Sequence, residues 1–127
     1  MTAALVLDAG ALIAIERRAT RIQALLMQAR ARRVSLVVPT PVVAQVVRSG
    51  GRQANLRRFL ADSTLRFAAL DLAAALEVGS LLAGSGNPDV VDGFVAVCAR
   101  RLGGCPVVTS DPDDIGTVDS ALPLIVV

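Results

Sequence analysis

The chain has 127 residues, 54% of them hydrophobic and only 2% aromatic. That length and composition predict a single domain over residues 1–127 with an aliphatic core, and exclude a disordered tail or a small disulfide scaffold. The basic residues are 13 arginines without a lysine, the net charge is +2, and histidine is absent, which excludes Ser-His-Asp and Cys-His catalysis and, with two isolated cysteines, a zinc site.

Charge is unevenly placed along the chain. Every arginine except Arg100 and Arg101 falls between Arg17 and Arg66, whereas seven acids lie between residues 77 and 119. Solvated helix faces account for the arginines, and an arginine rim beside an acidic centre, suited to phosphate, is the alternative. The opening residues lack a secretory pattern, and no apolar run is long enough to span a bilayer. Cys98 and Cys105 form no C-x-x-C pair. A cytoplasmic protein without membrane contact is expected.

The first apolar run, residues 3–7, reads as a buried strand that stops at Asp8. Helical stretches follow at 9–17 and 20–33, the second with Ile22, Leu25, Leu26 and Ala29 on one face and arginines opposite. Residues 34–38 are a second strand. Thr40-Pro41 reads as a cap and first helical residue of a helix running to about Arg48, which Ser49-Gly50-Gly51 ends. A basic amphipathic helix is expected at 52–61 and a third strand at 65–68. Asp71 opens a helix that Gly84 ends. Asn87-Pro88 repeats the cap-plus-proline start for a helix to about Leu102. Residues 107–109 form a fourth strand, 111–118 a loop and short helix, and 124–127 a last strand. This alternation predicts an α/β fold, a mainly parallel sheet with helices on both faces and right-handed crossovers.

Acidic and polar residues recur where such a sheet would collect them, at the carboxyl ends of strands. Asp8 follows the first strand, where capping the next helix and serving a site are compatible roles. In Asn87-Pro-Asp-Val-Val-Asp92-Gly-Phe94, Asp89 is expected in the first helical turn, where the helix dipole explains it. Asp92 is expected beyond that turn, among valines and Phe94, where capping does not explain a carboxylate. Thr109-Ser110-Asp111-Pro-Asp-Asp114 carries more acid than a turn requires. Gln45, one turn into the helix after the second strand, is by itself an ordinary surface residue. Clustered carboxylates without His or Cys suit a hard cation such as Mg²⁺ or Mn²⁺.

At these residues the chain resembles the PIN-domain ribonucleases, specifically the VapC-type toxins of bacterial toxin–antitoxin pairs. Leu5-Val-Leu-Asp8-Ala-Gly-Ala-Leu-Ile-Ala14, Val91-Asp92-Gly-Phe-Val-Ala96 and Val108-Thr-Ser-Asp111-Pro-Asp-Asp114 are similar to the family's opening, central and closing motifs. The resemblance spans nearly the whole chain. It implies a PIN-like three-layer α/β/α sandwich on a sheet of four to five strands, and Mg²⁺-dependent (or Mn²⁺-dependent) cleavage of RNA. It also implies a homodimer and inhibition by a cognate antitoxin protein.

On that resemblance Asp8, Asp92 and Asp111 are the catalytic, metal-ligating acids. Asp114 matches an acid that the family often carries just beyond and is a further metal candidate; apart from the resemblance, Asp89, Thr109 and Ser110 are candidates for supporting the site from outside it. Gln45 stands where the family has Glu, which keeps an oxygen donor but removes a charge. The alternative function is therefore a catalytically weak PIN module that binds RNA or its antitoxin without turnover. Arg18, Arg48 and Arg52 are candidates for holding RNA phosphates. A phosphoacceptor receiver domain ranks lower, because its chemistry uses a lysine that this chain lacks.

Overall fold

The apolar runs become strands because they are short, rich in Val, Leu and Ile, and bounded by small or polar residues. The computed structural model describes residues 3–127. Strands β1 (Ala4–Leu7), β2 (Ser35–Pro39), β3 (Arg66–Ala68), β4 (Val107–Thr109) and β5 (Leu124–Val126) form one sheet in the order β3-β2-β1-β4-β5. Every neighbouring pair is parallel. Val6, Leu7, Val38, Val107 and Val108 are wholly buried, as strands covered on both faces must be.

Helices α1 (Ala9–Glu16) and α2 (Thr20–Ala31) lead from β1 to β2, and α3 (Thr40–Val46) and α4 (Ala54–Leu60) lead from β2 to β3. Helices α5 (Leu72–Ala83) and α6 (Val90–Arg101) carry the chain back past β1 to β4, and α7 (Pro112–Val118) joins β4 to β5. With right-handed crossovers this reversal places α1–α4 on one face and α5–α7 on the other. The packing agrees: α1 rests on α2, α3 and α4, while α6 lies on β1, β2 and β4 and carries α5 and α7. Strand order reverses between β1 and β4, so the crevice at their carboxyl ends is the topological switch point.

Helices α5 and α6 approach closely because residue 93 is glycine. A Cβ there would stand 2.9 Å from Val78 Cγ1 and 3.0 Å from Leu82 Cδ2. At the opposite end of the pair, Arg101 Nη2 meets Glu77 Oε1 at 2.8 Å.

Helix boundaries differ from the sequence expectation at three places. Thr40 is already helical, with Pro39 as the cap, and α3 ends at Val46 rather than near Arg48. The cause is the buried Gln53, whose Nε2 donates to Val46 O at 2.9 Å and whose Oε1 accepts from Arg48 N at 2.7 Å. The helix expected at 52–61 splits into a 3-10 turn (Gly51–Gln53) and α4. Asn87-Pro88 does not start α6. Asp89 caps it, accepting from the Val91 and Asp92 amides at 2.8 and 3.1 Å. Among the described residues no helix is long and apolar enough to cross a membrane.

Candidate functional site

Asp8 leaves β1 still on the sheet ladder, its amide donating to Val108 O at 3.1 Å. Its side chain caps α1, with Oδ1 accepting from Ala11 N at 3.0 Å. The carboxylate is buried. Burial pushes its pKa up, the Thr109 hydroxyl and the Ala11 and Gly10 amides pull it back, and the charge on Asp111 raises it again.

Thr109 is wholly buried at the end of β4. Besides supporting Asp8, its Oγ1 accepts from Asp111 N at 2.9 Å. One hydroxyl therefore couples the acid after β1 to the acid after β4. Gly10 permits the same closeness, since a Cβ there would lie 2.0 Å from Ser110 Oγ and 2.8 Å from Ser110 N.

Asp89 and Asp92 each lie nearer the helix start than expected. Asp89 is the cap of α6 rather than a residue of its first turn, and Asp92 lies inside that turn rather than beyond it. The helix begins later than Asn87-Pro88 suggests, which shifts both assignments toward the helix start. The dipole therefore favours Asp92 as well. It does not remove the cost of the surroundings. Burial pushes the Asp92 carboxyl up to about 6 against one opposing hydrogen bond from Asn87, and Asp89, Asp114 and Asp8 add repulsion.

Asp111 occupies the cap position of α7 but makes no side-chain capping bond. Its carboxylate is thus not consumed by the helix end. Asp114, one turn on, is raised by its hydrogen bond with Asp111 and by that neighbour's charge. Asp113 lies outside the cleft lining.

Asp8, Gln45, Asp89, Asp92, Ser110, Asp111 and Asp114 line one cleft of about 160 Å³ at the switch point, room for about five waters. Of the expected site residues only Thr109 is absent from the lining, lying beneath Asp8. No basic side chain lines the cleft among the described residues. Two of the candidate arginines are engaged elsewhere: Arg48 Nη1 donates to the Ala44 and Val47 carbonyls, and Arg18 Nη2 to Asn55 Oδ1. The alternative of an arginine rim is not met at the cleft wall among the described residues. A larger cavity, about 710 Å³, lies between α5 and α7. Its Arg100 is paired with Asp119, and no carboxylate cluster faces it, so size does not mark the chemistry.

The donor set consists of hard oxygens, which fit a small divalent cation. The carboxyls of Asp8 and Asp92 are raised chiefly by burial and that of Asp114 by its neighbour Asp111, and no cationic side chain lines the cleft among the described residues to offset them. Among the described residues no three acidic or cysteine side chains stand at the spacing of a metal cage, so ligation requires these carboxylates to turn inward.

Sequence reading missed two contributors. Gly10 passed as a small residue after a strand, since its contact with Ser110 joins segments far apart in the chain. Asn87 passed as a helix cap, whereas its side chain reaches Asp92 and α7.

No protein-family model and no curated protein matches the sequence. The fold does match solved structures. A chain of VapBC2 from Rickettsia felis, crystallised bound to a DNA fragment from their promoter, superposes with a TM-score of 0.75 at 19% identity over 98% of each chain. A chain of FitAB bound to the IR36 DNA fragment gives 0.66 at 19% identity, over 95% of this chain and 93% of that one. A chain of FitAcB from Neisseria gonorrhoeae gives 0.62 at 21% identity, over 95% and 96%. At such identities the likeness is one of fold, and it is the PIN-like α/β/α arrangement expected.

Proposed function

We propose that this chain is the toxin of a VapBC-like pair: a Mg²⁺-dependent endoribonuclease, cytoplasmic and homodimeric, restrained by a cognate antitoxin. The observation that carries this reading is the cleft in which Asp8, Asp89, Asp92, Asp111 and Asp114 meet without a cation of the protein's own. The fold likeness to chains of VapBC2 and FitAB supports the partnered toxin.

Asp8 after β1 and Asp92 on α6 would hold Mg²⁺, with Asp111 and Asp114 completing the set and Gln45 offering a neutral oxygen. Bound there, the ion would offset phosphodiester charge and lower the pKa of the attacking water. The Thr109 hydroxyl opposes the rise that burial imposes on the Asp8 carboxyl and would keep that side chain oriented. Asp92 holds a proton more readily than an ordinary aspartate, and a bound cation would displace it. Ser110, at the mouth against Gly10, is placed to orient water or a phosphate oxygen.

A weakly cutting module remains the second reading, favoured by one observation: the helix after β2 presents the uncharged Gln45 to the cleft. The test is RNA cleavage by purified, antitoxin-free protein with Mg²⁺ or Mn²⁺, beside Asp8→Asn. Asn caps a helix about as well as Asp, so the variant removes charge and keeps the fold. Metal-dependent cutting that the variant loses is the expected result. No cutting across a broad RNA panel, with RNA binding intact, selects the second reading.

A further inference from the structure

Between α5 and α6 one side chain contacts both acidic segments of the cleft. Asn87 Oδ1 accepts from Asp89 N at 2.9 Å, which sets the turn entering α6. On its other side, Nδ2 lies 3.3 Å from Asp92 Oδ2, from Asp114 O and from Thr117 Oγ1. Two N–H groups thus serve three acceptors, one on α6 and two on α7. Ser85 steadies the residue, its Oγ accepting from Asn87 N at 3.1 Å. Asp92 Oδ1 has no hydrogen-bond donor among the described residues.

We infer that Asn87 is a positioning residue of the acidic centre, holding Asp92 by one oxygen and tying the start of α6 to α7 so that Asp92 and Asp114 face one cleft. The inference deepens the metal-centre reading and rests on it. An amide suits the place for a chemical reason. It accepts from the backbone and donates to a carboxylate at once, with no charge of its own to collapse the acidic cluster. A hydroxyl at residue 87 would keep the acceptor for Asp89 N but lacks the reach and the second donor. This contact also opposes the rise of the Asp92 pKa, as a bond to the charged form does. Groups that orient a ligand from outside the coordination sphere set metal affinity by roughly 10–100-fold.

The experiment compares wild type, Asn87→Ser and Asp92→Asn as full chains. Mn²⁺ affinity is read by electron paramagnetic resonance, and the Asp92 carboxyl ¹³C signal is read in metal-free protein at fixed pH. The expected result for Asn87→Ser is an unchanged melting temperature, Mn²⁺ bound roughly tenfold more weakly, and a displaced Asp92 signal with Asp8 unmoved. Wild-type affinity with an unmoved Asp92 signal would overturn the inference. Should Asn87→Ser not fold, the Asn87 side-chain amide signals are followed in Asp92→Asn: displacement supports the contact and constancy refutes it. A wild type that binds no Mn²⁺ sinks the metal reading instead, and the Asp92 signal still decides whether Asn87 holds that carboxylate.

Discussion

At Asp92, burial and three neighbouring carboxylates hold the pKa near 6 in the folded chain, against 3.8 for a free side chain. The folded state therefore binds this proton more tightly than the unfolded one. The resulting stability is complete below about pH 4 and is lost as pH rises through about 6. The group is partly exposed, so solvent screening reduces a nominal 3 kcal/mol to about 1 kcal/mol. Metal-free Asp92→Asn should accordingly gain about 1 kcal/mol at pH 8 and nothing at pH 4, as thermal melts at the two pH values will show. Equal gains at both would mean that packing, not charge, is responsible. Gln45→Glu adds a carboxylate to the same cleft and should tighten Mn²⁺ binding and increase RNA cleavage. Calorimetry showing no tighter binding would place residue 45 outside the centre. Most of the acids were legible in the sequence because they follow a strand or open a helix, and Asp92 because its neighbours are apolar. Gln45 drew attention only through the family resemblance, since one glutamine in a helix carries no signal of its own.

Elements meet at the site through glycine. Gly10 lets the start of α1 lie against Ser110 after β4, and Gly93 lets α6 lie against α5. Gly10→Ala forces a Cβ into the Ser110 backbone nitrogen as well as its hydroxyl, and should cost about 1–3 kcal/mol. Adding Ser110→Ala removes the contact with Oγ but not the one with N at 2.8 Å. Urea unfolding should therefore recover only part of the loss, and full recovery would show that the backbone yields. Helix starts were the least legible feature. Asn87-Pro88 carries the local signature of a cap and first residue, yet Asp89 offers two amides a carboxylate and wins the position. Likewise Gln53, buried and bonded to both sides of residue 47, ends α3 from a later element.

For the whole molecule, a cation that binds only the folded cleft must raise global stability. At 100 times its dissociation constant, Mn²⁺ contributes about 2.7 kcal/mol, or roughly 10 °C in melting temperature for a chain of this size. EDTA should reverse the rise, and Asp8→Asn and Asp92→Asn should abolish it. A shift that survives both substitutions would locate the ion elsewhere. Apolar surface left open is concentrated on α5, where Leu72 and Leu76 are 76% and 65% exposed, and on α2 at Met27, 74% exposed. On α2 the apolar face is otherwise spent inward, because Ile22 and Ala29 are taken into the core.

The sequence alone determined the strands, the alternation that makes the sheet parallel, and the acids at strand and helix ends. Each of these is a local consequence of hydrophobic period, capping and chain stiffness. Only the tertiary structure decided that α6 brings Asp92 to the same cleft as Asp8, that no arginine lines that cleft among the described residues, and that Asn87 joins two acidic segments. Strand order and crossover hand control those meetings. They bring together residues some hundred positions apart along the chain, a relation that no local pattern of residues encodes.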